Sequence, residues 1–447
     1  MKRLNGVHVP HKKYTAIMTP VHLPTPDLVI IPMSMHIGAP AKPVIKAGDH
    51  VKAGQLLAEA VGVVSSPVYS SVSGTVIKLD EMRMSNGQKV PAVIIETDDL
   101  QTVDENIHPP VIESKEDFLK AVRDSGVVGL GGAGFPAAVK LTVKEDARVN
   151  YLLVNGAECE PYITSDTRTM LDNSDLVMQA AELVRKYLNI PKVVFGIEEN
   201  KPECIEVFRR LCEEKENMSV CSMPALYPQG GEKVLIYNIT GREVPEGKLP
   251  LDVGCIVMNC TSLAAIAKYV NTGMPLIEKC VTVDGSAVRY PQNVITPIGT
   301  PVKDLFTFCG GFRSEARKML YGGPMMGIAL SDPDLPVLKS TNAVLAFDEK
   351  DSILPEPTAC IRCGTCVSHC PMRLAPLEIE RAFQLKKPEI LEKQKVNLCM
   401  ECGCCAYGCP AKRPLVQVMK LSKSMLREYQ NRKKQEQEKL AAKEAEK

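Results

Sequence analysis

The chain has no tryptophan, only 5% aromatic residues and almost no excess of charge, with a formal net charge of +1 over 447 residues. No basic stripe interleaved with aromatics runs through it, which excludes a nucleic-acid-binding role. Long apolar runs are missing too. The best uncharged candidate, Val253 to Ala267, contains Asn259, Thr261 and Ser262, and it falls short of the roughly 20 residues needed to cross a bilayer. The opening MKRLNGVHVPHKKYTA is charged but has no apolar core. A secretory signal is therefore not expected, a reducing compartment is favoured, and disulfides are not anticipated.

Cysteine, by contrast, is abundant and patterned. Of 17 cysteines, eight form two copies of one motif: Cys360-x2-Cys363-x2-Cys366-x3-Cys370-Pro371 and Cys399-x2-Cys402-x2-Cys405-x3-Cys409-Pro410. At this spacing three consecutive thiolates wrap one iron–sulfur cube, and the fourth, before a proline, reaches across to the other cube. The reading assigns Cys360, Cys363, Cys366 and Cys409 to one 4Fe-4S cluster and Cys370, Cys399, Cys402 and Cys405 to a second. Structural zinc also favours paired cysteines, but it has no use for three evenly spaced thiolates plus a fourth before proline, twice over. The other cysteines are scattered and read as small buried residues, with Cys404 a spare thiol inside the second motif.

A chain of this length should hold three or four compact units. The fold class expected is multidomain α+β: an N-terminal barrel-sandwich β unit, an α/β flavin or nucleotide domain, a β-grasp unit and a mainly helical two-cluster ferredoxin domain. The boundaries are placed at 1–104, 105–275, 276–349 and 350–422, with a charged helical tail over 423–447. From Gly38 to Thr97 short Val/Ile runs alternate with Gly, Pro and Ser, a small all-β pattern. The phrases AGDHVKAGQLL and SPVYSSVSGTV resemble the biotinyl/lipoyl barrel-sandwich fold. No lysine lies between Lys52 and Lys78 to carry a cofactor, so the resemblance is one of fold.

Ser114 followed by Asp117 predicts a helix N-cap opening the stretch Phe118-Leu119-Val122. Helical stretches at Leu176–Tyr187 and Cys204–Cys212 alternate with strand-like runs at Tyr151–Val154, Val193–Phe195 and Ile256–Met258, an α/β pattern. From Cys280 to Phe312 the pattern reads as β, with a turn at Asp284-Gly285. Ala343 to Phe347 is another β run, followed by the linker DEKDSILPEP. Ile379, Ala382 and Phe383 are spaced for a helix. The final residues, LREYQNRKKQEQEKLAAKEAEK, carry no apolar stripe and read as a solvated helix.

The loop Gly129-Leu-Gly131-Gly132-Ala-Gly134-Phe135-Pro136-Ala-Ala-Val-Lys140 is not the dinucleotide fingerprint. Its glycines would let a planar ring or a phosphate approach the backbone, although a purely structural turn reads equally well from the loop alone. A chain with two one-electron clusters also needs a group that splits a hydride's two electrons, and flavin is the usual one.

GLGGAGFPAAVKL, then LLVNGAECEP, YPQGGEKVL and GREVPEGKLPLDVGCIVMNCTS, resemble the flavin-carrying NADH-oxidising subunit of respiratory complex I. With GVHVPHK, the barrel-sandwich unit, YGGPMMG and the paired cysteine motifs, residues 1 to 422 resemble the RnfC family of Rnf electron-transport complexes. That resemblance implies FMN lined by Gly129, Gly131 and Lys140, with Asn155, Glu158, Gly230, Asn259 and Ser262 on its ring or ribityl chain and Gly134 as a further cofactor-binding residue of the loop. Gly132, Phe135, Glu160 and Glu232 would border NAD(H). It implies an NADH-dependent flavin iron–sulfur oxidoreductase in which the cofactors, not catalytic side chains, transfer the hydride. Electrons would pass singly through two 4Fe-4S clusters to an iron–sulfur subunit and, indirectly, ferredoxin. The other Rnf subunits would couple this to Na+ or H+ movement, with this chain peripheral on the cytoplasmic face of the membrane. Ala157 and Gly231 stand where the complex I subunit has carboxylates, which would change the electrostatics near the ring. A flavin-dependent cobalamin reductase of bacterial microcompartments shares the loop and both cysteine motifs, and a non-catalytic electron wire is the rival of a different class.

Overall fold

The computed structural model describes residues 5–144 and 147–445, so Met1–Leu4 of the first expected domain and the last two residues of the tail lie outside the described residues. The chain forms two compact units: Pro10–Ala225 with Leu235–Ile353, and Met1–Val9 with Leu226–Val234 and Leu354–Lys447.

The larger unit begins with β structure. Leu28–Pro32, Lys89–Thr97, Gly74–Arg83 and His50–Val51 form one sheet, and Lys42–Pro43, Leu56–Glu59 and Val68–Tyr69 form a second. Then the helix Lys115–Asp124 opens on the expected capping box, with Ser114 and Asp117 satisfying each other's backbone N–H. Phe118 and Val122 point inward from it, as their i, i+4 spacing requires.

The centre of this unit is a four-stranded parallel sheet built from β1 (Tyr151–Gly156), β2 (Lys192–Glu198), β3 (Met218–Met223) and β4 (Cys255–Asn259), in the order β3-β2-β1-β4. Helices α1 (Ser165–Asp172), α2 (Ser174–Tyr187), α3 (Pro202–Cys212) and α4 (Cys260–Thr272) complete it. In β1, Leu152 and Val154 enter one apolar core and Leu153 another, so both faces of the sheet are covered. That is why the strand reads as a continuous apolar run and not as an alternation. Strand order reverses between β1 and β4, and the crevice at the carboxyl ends of strands beside such a reversal is where open α/β sheets bind ligands.

A six-stranded mixed sheet follows, in the order Val21–His22, Gln292–Pro297, Glu278–Asp284, Ala343–Phe347, Lys318–Tyr321, Ile328–Ala329. The expected β pattern over Cys280–Phe312 is broken by a helix at Val302–Phe308. Val302, Leu305 and Phe306 supply its buried i, i+3, i+4 stripe after Pro301, a helical period that the flanking strands obscure. The linker is likewise not wholly irregular, because Asp348 caps a helical turn at Glu349–Ser352.

In the smaller unit, helices Pro376–Gln384, Pro388–Lys393 and Leu415–Ala445 surround a core of Leu374, Ile379, Leu391, Met419 and Leu426. The tail therefore differs from its expected form. Its helix starts at Leu415, and Leu426, inside the stretch read as wholly solvated, is 1% exposed with Tyr429 packed beside that core. The apolar stripe runs from the cysteine motif into the tail, so a boundary at 422 cuts through it.

Candidate functional site

The cysteines gather into two cavities. Cys360, Cys363, Cys366 and Cys409 line one, together with Leu377, Ala411 and Leu415. Cys370, Cys399, Cys402 and Cys405 line the other, together with the spare Cys404, Met372, Met400 and Val416. Each set takes three thiols from one motif and one from its twin. Local backbone explains the wrap: Arg362 and Gly364 have φ of 55° and 78°, and Glu401 and Gly403 repeat this at 59° and 79°. These left-handed residues curl the chain so that backbone N–H groups turn toward sulfur, as Arg362 N does to Cys360 Sγ at 3.4 Å and Glu401 N to Cys399 Sγ at 3.3 Å. Such N–H···S contacts stabilise thiolates. Among the described residues no His, Cys, Asp or Glu group converges on a single metal ion, and thiolates that grip the corners of a cube must stand wider than ligands around one zinc. Each cavity, with the four motif thiols of its set in a mostly apolar wall, thus fits a 4Fe-4S cluster.

The two sets differ in cover. Cys360 and Cys363 are exposed, whereas Cys370, Cys402 and Cys405 are buried. The second loop is backed by the segment Leu226–Val234: Tyr227 Oη donates to the Cys402 carbonyl at 2.8 Å, and the spare thiol of Cys404 donates to the Tyr227 carbonyl at 3.9 Å. Cys404 is fully buried, in the wall of the second cavity, and this contact ties it to the segment behind the loop, a packing role. A Cβ on Gly231 would strike the Met400 methyl. This accounts for the missing carboxylate there, since Met400 occupies the space a side chain would need. Gly230 and Glu232 lie in the same segment, apart in the chain from the other expected flavin residues.

In the larger unit the glycine loop closes on itself through Gly129 N to the Phe135 carbonyl at 2.8 Å and Gly134 N to the Gly129 carbonyl at 3.0 Å, leaving Gly131, Gly132 and Ala133 exposed at its tip with Phe135 half-buried. Ser262 Oγ accepts from Leu130 N at 2.9 Å and donates to the Val128 carbonyl at 2.9 Å, tying the loop to the start of α4. Asn259, the last residue of β4, caps α4 by accepting from Ser262 N. In register beside it stands Asn155 at the end of β1. A Cβ on Gly131 would lie 2.8 Å from Asn259 Nδ2, so glycine there is demanded first by this amide. The structure therefore brings Gly129, Gly131, Asn155, Asn259 and Ser262 together at the strand reversal. Gly132, with φ of 116° and open space where a Cβ would be, leaves the backbone free for an approaching group. Lys140 Nζ donates to the Val257 carbonyl of β4 at 3.0 Å. A glycine tip, two amides and a helix N-terminus at this crevice fit a phosphate-bearing planar cofactor.

Glu158 and Glu160 are placed otherwise than a direct ring contact suggests. Glu158, at φ 43°, accepts from Asp166 N at 2.6 Å and from Thr167 N at 3.3 Å, capping α1. Glu160 accepts from Met325 N and Met326 N at 3.0 and 2.7 Å, holding the YGGPMMG turn. Burial raises the pKa of both carboxyls. Their loop is pinned by Lys13, whose ammonium donates to the carbonyls of Glu158, Glu160 and Ile163 at 2.5–2.9 Å. Ala157 is wholly buried and its carbonyl accepts from Lys201, itself paired with buried Glu198 at 2.9 Å.

Three contributors escaped the sequence reading: Lys13, Asp166 and Lys279. Asp166 accepts from Asn259 Nδ2 and Thr261 Oγ1 at 2.7 and 2.6 Å. Lys279, from the six-stranded sheet, donates to the Leu130 carbonyl at 2.6 Å, and burial lowers its pKa to about 8. The GVHVPHK motif stops at Lys12, one residue short of Lys13.

Comparison with known proteins agrees with this layout. Residues 2–100 match the RnfC barrel sandwich hybrid domain, 122–268 the Nuo51 FMN-binding domain, 280–329 the SLBB domain and 352–410 the 4Fe-4S dicluster domain. The RnfC relative in the proton-translocating ferredoxin:NAD(+) oxidoreductase complex of Clostridium ljungdahlii is 43% identical over 83% of this chain and 82% of its own length. Its counterpart in the Na(+)-translocating complex of Acetobacterium woodii is 42% identical over 85% of this chain and 86% of its own. The chain belongs to the RnfC family. A further member, from the ion-translocating oxidoreductase complex of Rhodobacter capsulatus, is 38% identical over 96% of this chain and 84% of its own. An NAD+-reducing NiFe-hydrogenase chain overlays with a TM-score of 0.49 at 17% identity, covering 70% of this chain and 64% of that one. This RnfC-family chain thus contains an FMN-binding and a 4Fe-4S dicluster domain. Among its described residues no helix is long and apolar enough to cross a membrane.

Proposed function

We propose that the chain is the NAD(H)-facing subunit of an Rnf-type complex, peripheral on the cytoplasmic side of the membrane and electrically connected to an iron–sulfur subunit and, through it, to ferredoxin. When bound, FMN exchanges a hydride with NAD(H) and parts with its two electrons singly, and the two 4Fe-4S clusters carry them one at a time. The other subunits of the complex link that flow to Na+ or H+ movement. The boundaries 1–104, 105–275 and 276–349, and the β-grasp label for the third unit, belong to the same proposal, whereas the ferredoxin unit runs on past residue 422 along the helix Leu415–Ala445.

Gly129, Gly131 and Gly134 keep side chains away from the flavin, and Lys140 lies on its phosphate side. Asn155 and Asn259 present amides to the ring or ribityl chain from two adjacent strand ends, and Ser262 anchors the loop that covers it. Phe135, half-buried at the loop's return, offers a ring against which nicotinamide stacks, with Gly132 leaving it room. Glu158 and Glu160 act by fixing the loop after β1. Gly230 and Glu232 keep their proposed flavin and nucleotide roles on family resemblance. The four thiolates of each set hold one cluster. Orientation is what such residues supply, because hydride transfer depends on ring-to-ring geometry.

The observation that carries this reading is the crosswise three-plus-one sorting of eight thiols into two cavities. It is tested by anaerobic NADH titration of FMN-supplemented, cluster-reconstituted protein, following flavin and iron–sulfur absorbance together. Bleaching of both is expected. Clusters that dithionite reduces but NADH leaves unbleached would overturn the NAD(H) role.

A further inference from the structure

The two cysteine loops are twins in sequence, and they differ in what covers matching positions. After the first cysteine of the second motif comes Met400, seated against Gly231 of the segment Leu226–Val234. After the first cysteine of the first motif comes Ile361, 68% exposed. The next residue in the second loop, Glu401, is paired with Lys423 at 2.6 Å. Its twin in the first loop, Arg362, is exposed, and Val367, after Cys366, is 42% exposed. Cys360 and Cys363 complete an exposed edge around the first cavity.

Charge at this edge is mainly positive. Arg413 is neutralised by a forked pairing of its Nε and Nη2 with Glu380, which is 3% exposed. Arg362 and Lys412 remain exposed, with Glu356 the nearby carboxylate in the chain before Cys360. An exposed apolar residue beside redox ligands and flanked by cations is the composition of a docking rim, where apolar contact supplies affinity and charge supplies encounter rate.

We infer that the first cysteine loop is the docking face for an acidic protein carrying a one-electron centre, and that its partner seats on Ile361 as Leu226–Val234 seats on Met400. The second loop, covered within the chain, is the inner member of the pair. This rests on the electron-transfer reading above and adds to it a port and the charge of the partner. One electron leaves a reduced cluster held by this chain and reduces the partner's oxidised centre, with no bond or proton changing hands.

The test uses the full-length holoprotein, reduced with dithionite, freed of it anaerobically and mixed by stopped flow with an oxidised acidic ferredoxin. The bimolecular rate should fall as salt is raised, and Ile361→Asp or Arg362→Glu should lower it roughly tenfold at low salt. Leu385→Asp, at another exposed apolar site of the same unit (56% exposed), should leave it unchanged. Where Arg362→Glu loses iron on assembly, Lys412→Glu, one residue removed from the cavity wall, takes its place. A rate that ignores both Ile361 and the cations, or falls equally with Leu385→Asp, overturns the port. Because dithionite supplies the electrons, a failed NADH titration would remove the NAD(H) reading and leave this result standing.

Discussion

The ferredoxin unit and the glycine-loop site hold their groups by opposite means. In the ferredoxin unit the holding atoms are the thiols themselves, delivered by a tight local curl and one crossing residue, and residues outside the motifs, Tyr227, Lys423 and Asn5 among them, reach the ligand residues' backbone carbonyls. In the glycine-loop site few holding groups come from the loop. They come from Ser262 on α4, Lys279 on the six-stranded sheet and Asn259 at a strand end, with Asp166 and Lys13 fixing those in turn. A site held by its own ligands should fail in separable parts, and one held by buried groups from distant segments should fail as a whole.

Separable failure is the largest effect expected. Cys363→Ser removes one of four thiolates from the first set alone, so one cluster's worth of iron and one paramagnetic signal should disappear while flavin reduction by NADH persists. Iron analysis and low-temperature EPR after NADH and after dithionite check this. Loss of both clusters together would show that the two sets are not independent.

Collective failure is probed next through Lys279. Its pKa is lowered to about 8, by burial first and against the pull of Asp166, whereas an unfolded lysine titrates near 10.4. Between those values the unfolded chain binds the extra proton, so the Lys279 contribution to stability rises with pH from about 8 to 10.4 and is flat below. The window is worth about 3 kcal/mol. Lys279→Met should remove its share of that rise, seen as urea midpoints that climb less steeply than wild type across the window, the remainder coming from buried Lys339, whose pKa burial lowers to about 7. An unchanged slope would mean that Lys279 is not the titrating group. FMN affinity measured beside it should weaken too, because the Leu130 carbonyl loses its donor.

Gly131→Val sharpens the same point with a smaller effect. The added Cβ meets Asn259 Nδ2 at 2.8 Å, and relieving such overpacking costs about 1–3 kcal/mol. Displacing that amide disturbs the α4 cap and the Asp166 contact together, so FMN binding, read by fluorescence quenching, should weaken by about tenfold or more. Stoichiometric, undiminished FMN binding would refute the loop assignment.

What was legible in the sequence follows this division. The cysteine grouping could be read because ligand identity and spacing are local, and the Ser114–Asp117 box because both partners lie within one turn. The strands β1, β2 and β4 were legible from apolar runs. Lys13, Asp166 and Lys279 were not, because each is a single polar residue whose partner lies far away in the chain, and nothing in a lysine's neighbours says that its ammonium will be buried. Val302–Phe308 was missed because its short helical period was read as a continuation of the β pattern around it. Leu426 was missed because one apolar residue among charges makes no stripe until Met419 and Leu415 are counted with it. Glu158 and Glu160 stood out as residues, but whether a carboxylate faces a cofactor or caps a helix depends on where α1 and the YGGPMMG turn fall.

The smallest effect asks whether the second cysteine loop depends on its cover. Tyr227→Phe keeps the ring and removes one donor from the Cys402 carbonyl, a change worth about 1 kcal/mol. Hydrogen bonding and exposure around the thiolates set a cluster's potential, and the carbonyl of a ligand residue is one bond system away from its sulfur. The midpoint of the second cluster should therefore shift modestly in an EPR-monitored redox titration. The first cluster, whose loop has no such cover, should stay where it was. Equal shifts in both would mean that Tyr227 acts on the unit as a whole and that the asymmetry between the twins has no consequence for their electronics.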